Sequence, residues 1–258
     1  MQLIKSELLD SVFRISLNRP DKFNSFNREM ALQLQDALKE GQKNKSVRAI
    51  YLSAEGKAFC AGQDLAEAID GSGPGIERIV REHYNPIIHL IRSIEKPVVC
   101  AVNGVAAGAG ANIALACDIV IAGNSASFIQ AFSKIGLIPD SGGTFFLPRL
   151  IGFQRATALM MLGDKVSAGD ALQMGMIYKV FQDEILQEEG MKLASHLAKM
   201  PTRGIGLTKR LLNTSMENTL EQQVEQEAKM QVEACNSYDF KEGVSAFLEK
   251  RKAIFRGE

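Results

Sequence analysis

The feature that most constrains this chain is a run of small and apolar residues from position 98 to 117. Its first part, residues 98–102, is typical of a buried strand, and Asn103-Gly104 marks a turn after it. Glycine and alanine then dominate, so backbone N–H groups can come close to a ligand. A helix beginning near Ala109 would direct its free amides and positive dipole end at that ligand, which suits an oxygen gaining negative charge. A tight crossing of a helix and a strand is the alternative interpretation.

A second stretch, residues 58–65, repeats this arrangement of small residues and glycine after an apolar segment at 48–53. The two stretches contain F-x-A-G-x-D-L and N-G-x-A-x-G-x-G, and in this order and spacing they resemble the crotonase (enoyl-CoA hydratase/isomerase) superfamily. In that superfamily each motif supplies one backbone N–H to an oxyanion hole that binds an acyl-CoA thioester. The resemblance implies that the amides of Ala61 and Ala109 are the two donors.

The composition predicts a globular protein without a bulk preference for polyanions. Of 258 residues, 46% are hydrophobic and 23% are charged, and Lys+Arg and Asp+Glu both number 30. The sequence has no bilayer-length apolar run, no basic run, no metal-ligand spacing, no P-loop and no dinucleotide fingerprint. The first residues lack a signal-peptide pattern, and the four cysteines are scattered. We therefore expect a cytoplasmic protein with reduced thiols that binds no metal, nucleic acid or membrane.

Short apolar segments alternate with helical patterns, which predicts an α/β fold of right-handed strand–helix–strand units. Strands are expected at 3–8, 12–17, 48–53, 98–102, 118–122, 127–130 and 176–181. Helices are expected after a cap at Asn27, over about 76–94, near Ala109, near Gly142, after Ser167, and from Leu186 onward with breaks at Pro201 and Gly243. We divide the chain into a core of residues 1–200 and a helical C-terminal region of residues 201–258.

The resemblance covers nearly the whole chain and implies the fold in more detail. It implies a crotonase-type ββα spiral in which the core carries the acyl-CoA site. The helical C-terminal region is expected to cover that site and to build a homotrimer, or a hexamer made of two trimers. Coenzyme A is then part of the substrate, and no cofactor is expected.

The acid/base residues separate the reactions open to this superfamily. Its hydratases add water with two glutamates, and this chain has Asn112 and Phe132 at the matching positions. An amide and a phenyl ring carry no proton at neutral pH, so water addition by that pair is not expected. Asp140 remains nearby, either as a turn or helix-capping residue or as the group that moves a proton between two carbons. With both oxyanion motifs present, we favour the catalytic role, which is that of an isomerase.

Within the superfamily, residues 24–27, 59–65, 101–111 and 131–140 resemble the ring-1,2-epoxyphenylacetyl-CoA isomerases of aerobic phenylacetate degradation. The resemblance implies conversion of the epoxide to oxepin-CoA through an enolate, with Asp140 as the single acid/base. A straight-chain 3,2-trans-enoyl-CoA isomerase is the first alternative, since the same residues serve both reactions. An enoyl-CoA hydratase and a non-catalytic acyl-CoA-binding subunit are the others.

Further substrate contacts are implied by positions in the same motifs, namely Lys22, Ser25, Gln63, Asp64, Leu65, Gly108, Asn112, Phe132, Ile138, Phe247 and Lys250. Lys22, Phe247 and Lys250 are expected near the nucleotide end of CoA, with a solvated charge as the alternative for each lysine. Asp64 can instead hold its own loop through backbone hydrogen bonds. Cys60 adjoins a predicted donor, but no histidine lies nearby in sequence to activate its thiol.

Overall fold

Two mainly parallel β-sheets form the centre of the computed structural model, which describes residues 2–258. The strands within that range are β1 (Ile4–Leu9), β2 (Val12–Leu17), β3 (Ala49–Ala54), β4 (Ala58–Cys60), β5 (Val98–Val102), β6 (Val105–Ala107), β7 (Ile119–Gly123), β8 (Ser127–Ile129), β9 (Lys165–Ser167) and β10 (Lys179–Phe181). The six-stranded sheet has the order β1-β2-β3-β5-β7-β10, and the four-stranded sheet has the order β4-β6-β8-β9. The β1–β2 and β8–β9 pairs are antiparallel, and the other pairs are parallel.

From β3 to β8 successive strands alternate between the two sheets, which gives the fold its spiral. β3, β5 and β7 belong to the larger sheet, whereas β4, β6 and β8, which follow them, belong to the smaller one. Helical segments then return the chain to the larger sheet, so the repeating unit is strand–strand–helix. This architecture confirms the expected α/β class and ββα spiral. The sequence analysis missed β4, β6 and β9, because three residues are too few to show a hydrophobic period.

The α-helices of the described chain are α1 (Arg28–Lys43), α2 (Leu65–Ile69), α3 (Gly75–Arg78), α4 (Asn85–Ser93), α5 (Ala109–Leu115), α6 (Gly143–Ile151), α7 (Phe153–Leu162), α8 (Ala168–Gln173), α9 (Leu186–Ala198), α10 (Thr202–Thr214), α11 (Leu220–Cys235) and α12 (Tyr238–Leu248). Short 3-10 helices span Pro20–Lys22, Ala131–Ile135 and Asp183–Ile185. The predicted caps are confirmed: Asn27 accepts a hydrogen bond from the Met30 N–H, and Ser167 accepts one from the Asp170 N–H.

Two helix predictions were wrong in detail. The single helix expected over 76–94 is divided into α3, a π-helical turn (Ile79–Tyr84) and α4. The break expected at Gly243 lies inside α12, where the glycine packs so that an added Cβ would stand 3.4 Å from the Phe255 ring. The chain breaks instead before Ser237, whose hydroxyl accepts the Phe240 N–H and caps α12.

The central strands β3 and β5 of the larger sheet are buried on both faces. Ile50 and Leu52 of β3 face the main core, whereas Ala49 and Tyr51, which alternate with them, face a second cluster that includes residues of α9. Alternating side chains point to opposite faces of a strand, so a continuous apolar run is what this sheet requires. The predicted buried strands at 48–53 and 98–102 meet that requirement.

Polar contacts join the C-terminal helices to the core. The Lys209 ammonium of α10 donates to Asp118 Oδ2 and to the Ile91 carbonyl, at 2.8 and 2.7 Å. Arg48 donates to the Phe255 carbonyl at 2.7 Å. These bonds join residues on either side of position 200. The division of the chain into two regions at that position stays a prediction. Across residues 2–258, no helix combines the length and apolarity that crossing a membrane requires.

Candidate active site

The two oxyanion motifs lie side by side at the carboxyl ends of neighbouring strands. β4 pairs in parallel with β6, so the loops after Cys60 and Ala107 leave the same edge of the smaller sheet. Gly62 lies where these loops meet: a Cβ added there would stand 3.0 Å from the Ala107 carbonyl oxygen and 3.8 Å from the Ala109 nitrogen. Its φ of +93° is also one that glycine adopts without strain. The close approach of the loops therefore requires glycine at this position.

Ala109 presents a free backbone amide at the start of α5. Gly108 precedes it with a φ of +52° and donates its own N–H to the Ile129 carbonyl at 2.9 Å. The first residue of a helix has no intrahelical acceptor for its N–H, and the described chain offers the Ala109 amide none elsewhere. The expected helix start is confirmed, and this amide is available to a ligand oxygen.

The first motif supplies a different amide from the predicted one. The Ala61 N–H donates to the Phe23 carbonyl at 3.0 Å, so it is not free to bind a thioester oxygen. The Phe26 backbone bonds to the residues on either side of Gln63, at 2.7 and 2.8 Å, as an isolated parallel bridge. The Gln63 N–H therefore points away from Phe26, and it has no acceptor among residues 2–258. Gln63 replaces Ala61 as the candidate donor.

Asp140 is a half-buried carboxyl group in the loop before α6. Burial raises the pKa of Asp140, and the Ser141 hydroxyl, which donates to its Oδ1 at 2.8 Å, partly opposes that effect. Ser141 is itself buried and has a φ of +52°. The Nδ2 of Asn112 donates to the Asp140 carbonyl at 2.9 Å, which ties the loop to α5. The loop thus holds one carboxyl group close to the helix that begins at Ala109, with a pKa moved toward the range useful for general acid/base work.

Asn112 and Phe132 were both expected to contact substrate, and the structure gives them different surroundings. Asn112 is fully buried, and besides serving Asp140 it accepts a hydrogen bond from Gln130 Nε2 at 2.8 Å. Its amide therefore supports the Asp140 loop, which corrects the prediction of a substrate contact. Phe132 is 6% exposed, and its ring lies 3.7 Å from the place that a Cβ on Gly108 would take. The phenyl ring therefore lies beside Gly108, the residue that precedes the Ala109 amide.

An ion pair holds the loop that carries Gln63. Asp64 accepts from Arg19 Nη1 at 2.8 Å and, as the N-cap of α2, from the Ala66 N–H at 3.1 Å. Burial alone would raise the pKa of Asp64, but these bonds bring the pKa below its ordinary value. Arg19 also donates to the Ser25 carbonyl at 3.0 Å. These contacts match the alternative interpretation of Asp64, in which its carboxylate holds its own loop.

Of the other predicted substrate contacts, Ser25 is half-buried and the rest lie at the surface. Leu65 begins α2 and is 50% exposed, Ile138 is 82% exposed, and Lys22 ends an exposed 3-10 helix. Phe247 and Lys250 lie at the end of the chain's last helix, where Phe247 lines an apolar groove. Within residues 2–258 no hydrogen bond or ion pair joins Lys22 or Lys250 to the two loops. Their contacts with CoA stay predictions.

Three residues at the site were missed by the sequence analysis. Ser141 contacts the Asp140 carboxyl, Gln130 supports Asn112, and the Tyr84 hydroxyl donates to Gln63 Oε1 at 2.7 Å. Ser141 could have been found as the polar neighbour of Asp140. Gln130 and Tyr84 belong to no motif, and their roles depend on contacts between residues far apart in sequence.

Cys60 is not a candidate nucleophile. Burial raises the pKa of its thiol to about 12, so the thiol is protonated at neutral pH. Its Sγ instead accepts the Gly62 N–H at 3.4 Å, inside the first loop. In the part of the chain that the structure describes, no three His, Cys, Asp or Glu side chains form a group that could hold a metal ion.

Comparison with known proteins matches residues 7–258 to the family described as Enoyl-CoA hydratase/isomerase. The chain belongs to this family. It is 47% identical over 261 residues to the 1,2-epoxyphenylacetyl-CoA isomerase of Escherichia coli (strain K12), with 100% of both chains covered. It is 42% identical over 254 residues to a probable enoyl-CoA hydratase of Rhodobacter capsulatus, with 98% of both covered. A crystal structure of an enoyl-CoA hydratase/isomerase from Mycobacterium abscessus superposes with a TM-score of 0.95 at 39% identity, covering 99% of this chain and 100% of that one.

Membership of the enoyl-CoA hydratase/isomerase family confirms the resemblance that rests on the two glycine-containing motifs. It makes the chain a family enzyme, and an acyl-CoA thioester is the substrate class consistent with it. A thioester oxygen gains negative charge when the carbon beside it loses a proton, and free backbone amides are groups that stabilise such a charge.

Proposed function

We propose that this chain isomerises 1,2-epoxyphenylacetyl-CoA to oxepin-CoA. The observation that carries the proposal is the Asp140 carboxyl, desolvated and tied to the helix whose first amide is free. Asn112 and Phe132 occupy the positions where the superfamily's hydratases have glutamates, so Asp140 is left as the acid/base. Identity of 47% over the full length to an isomerase of that name supports the choice of substrate.

The proposed reaction expands the ring and moves one proton between two carbons. The carbon–carbon bond that the epoxide shares with the six-membered ring breaks as the ring's double bonds shift, which gives the seven-membered oxepin. The Asp140 carboxylate takes a proton from the carbon beside the thioester, and the electron pair moves to the thioester oxygen. The amides of Gln63 and Ala109 stabilise that oxyanion, and the protonated Asp140 then returns the proton to a ring carbon. Substrate and product are isomers, so the reaction needs no oxidant or reductant and, we propose, no cofactor besides the CoA of the substrate.

Two features of the site favour this chemistry. One oxyanion donor typically lowers an activation barrier by about 3 kcal/mol. The proposed site has two donors, and hydrogen bonds to an oxyanion are stronger where water is excluded. The buried Phe132 ring beside Gly108 places apolar surface next to the residue of the second donor, which favours a site poor in water. Burial of Asp140 raises its pKa, which makes its carboxylate a stronger base than a solvated aspartate.

We also propose a trimeric or hexameric assembly in the cytoplasm, acting in phenylacetate breakdown. Large apolar side chains are exposed on α7 and on α12, namely Phe153 (77%), Met161 (72%), Phe247 (82%) and Leu248 (74%). Exposed apolar patches of this kind are typical of subunit interfaces. Light scattering on the purified protein should give three or six chain masses, and a monomer at micromolar concentration would contradict the assembly.

The substrate proposal is tested by offering purified protein three thioesters in parallel. We expect rapid conversion of the epoxide, detected by the product's absorbance and mass. Conversion of a straight-chain 3-enoyl-CoA at an equal or higher kcat/KM would support the 3,2-enoyl-CoA isomerase alternative instead. Rapid hydration of crotonyl-CoA with no isomerisation would overturn both and support the hydratase.

A further inference from the structure

Tyr84 reaches the oxyanion loop from a wide helical turn with an identifiable cause. Pro86 has no N–H to donate to the carbonyl four residues earlier, that of Glu82, and the Asn85 N–H bonds to Val80, five residues earlier. The wide turn leaves carbonyl groups without a helical donor. The Gln35 side chain of α1 donates to the carbonyls of Glu82 and His83 instead, at 2.7 and 3.2 Å. π-helical turns are rare and frequently occur at functional sites.

The Tyr84 side chain is fixed in place by packing. It is 1% exposed, and its ring contacts the Phe26 ring edge-on, with centroids 6.0 Å apart. Phe26 is the residue whose backbone bonds to both neighbours of Gln63. The Tyr84 ring and hydroxyl thus hold the same short segment from two directions.

The Gln63 side chain is bonded at both ends. Its Oε1 accepts from the Tyr84 hydroxyl at 2.7 Å, and its Nε2 donates to Glu67 Oε2 at 3.0 Å. The Glu67 carboxylate also accepts the Arg28 N–H at the start of α1, at 3.0 Å. A chain of hydrogen bonds therefore runs from the π-helical turn through Gln63 to α1, and it restricts the rotation of the residue whose backbone amide is free.

We propose that Tyr84 is a positioning residue for the oxyanion hole: its hydroxyl fixes the Gln63 side chain and thereby directs the Gln63 backbone amide at the thioester oxygen. The inference rests on the proposed function, since it assigns a purpose to one of its two donors. Tyr84 does not touch the reacting carbons in this account and acts through Gln63. Burial, with the nearby Cys60 and Asp140 adding to it, raises the pKa of Tyr84, so its hydroxyl stays a donor at every pH of interest.

The chain offers a matched control for removing this hydroxyl. Tyr51 is also fully buried, and its hydroxyl donates to a glutamine, Gln187, at 2.9 Å, on the opposite face of the larger sheet. Tyr84→Phe and Tyr51→Phe each leave a glutamine oxygen without its donor, and similar losses of stability are expected. Only Tyr84→Phe should change the site.

The experiment uses trans-cinnamoyl-CoA, whose conjugated thioester absorbs at longer wavelength when its carbonyl oxygen accepts strong hydrogen bonds. Wild type and Tyr51→Phe should bind it with the same red shift. Tyr84→Phe should bind it with a Kd within about threefold but with a clearly smaller red shift. Turnover of the isomerase substrate should fall about fivefold or more in Tyr84→Phe, with little change in KM. A loss of this size is expected when one hydrogen bond that orients the oxyanion donor is removed.

A double variant tests whether Tyr84 acts through Gln63. Gln63→Leu should reduce the red shift and turnover as Tyr84→Phe does, and combining the two should add little, since both break the same bond. An unchanged red shift in Tyr84→Phe, or losses that multiply in the double variant, would overturn the inference and leave the proposed function standing. The absence of any red shift with wild type would overturn the oxyanion hole itself, and the role of Tyr84 with it.

Discussion

Replacing Asn112 with alanine should both destabilise the protein and displace its acid/base. The Asn112 amide makes two hydrogen bonds in a fully buried position, to the Asp140 carbonyl at 2.9 Å and from Gln130 Nε2 at 2.8 Å. A buried polar group that loses its partner costs about 1–3 kcal/mol. Only Gln130 Nε2 is left without a partner, because the Asp140 carbonyl also accepts the Gly143 N–H at 2.9 Å, so about 1–3 kcal/mol of unfolding free energy should be lost. The Oε1 of Gln130 already lacks a partner.

The consequence for Tm follows from the size of the protein. For a chain of this length about 1 kcal/mol corresponds to about 2–4 °C, so Asn112→Ala should lower the Tm by at least about 2 °C. The loop that carries Asp140 then loses its tie to α5, and a displacement of about 1 Å can cost about a hundredfold in rate. We expect turnover to fall at least about tenfold. Both values should be measured at one protein concentration, because the Tm of an oligomer depends on it.

Gln130→Leu is the matched variant, because it removes the Gln130 bond to Asn112 and leaves the Asn112 bond that ties the Asp140 loop to α5 in place. It should cost stability while leaving most of the turnover. The reasoning is refuted if Asn112→Ala keeps the Tm and turnover of the wild type, or if Gln130→Leu loses as much turnover as Asn112→Ala.

Three further predictions concern the same site. Ser141→Ala and Ser141→Gly both remove the hydroxyl that favours the charged form of Asp140, so the acid limb of the kcat/KM profile should move to higher pH in both; an unmoved limb in a pH titration would exclude Asp140 as the titrating base. Ala109→Pro removes the second oxyanion donor at a helix position that tolerates proline, and turnover should fall about a hundredfold or more with an unchanged circular dichroism spectrum; normal turnover would place the thioester oxygen elsewhere. Crotonyl-CoA should be hydrated far below the typical enzyme rate of about 10 per second, because neither Asn112 nor Phe132 can activate water; hydration at that rate in a spectrophotometric assay would assign a water-activating role to Asp140.

The sequence identified the two loops of the site because their constraint is local. A glycine is required where the backbones nearly touch, as at Gly62, and small residues are required around Ala109. These requirements are visible as a pattern of residues at fixed spacing. The same is true of the long buried strands, whose continuous apolar runs indicate a sheet covered on both faces.

What the sequence could not decide depends on partners distant along the chain. The motif restricts the first donor to a few residues, but the Phe23 carbonyl occupies the Ala61 amide and leaves that of Gln63 free. Asn112 has the residue type of a substrate contact, and its role as a support depends on Gln130 and on the Asp140 carbonyl. The position of Tyr84 depends on a proline and on a glutamine of another helix. No local pattern encodes these contacts.

The central claim is that Asp140 alone carries the proton from one carbon to another, and Asp140→Asn tests it most directly. The amide keeps the size of the carboxyl group and can still accept the Ser141 hydrogen bond, so the loop should keep its shape. Turnover and the Kd for a non-reacting acyl-CoA should be measured on the same preparation. The account predicts a loss of at least about a hundredfold in turnover, with the Kd within a few-fold of the wild-type value. Turnover within a few-fold of wild type would contradict it.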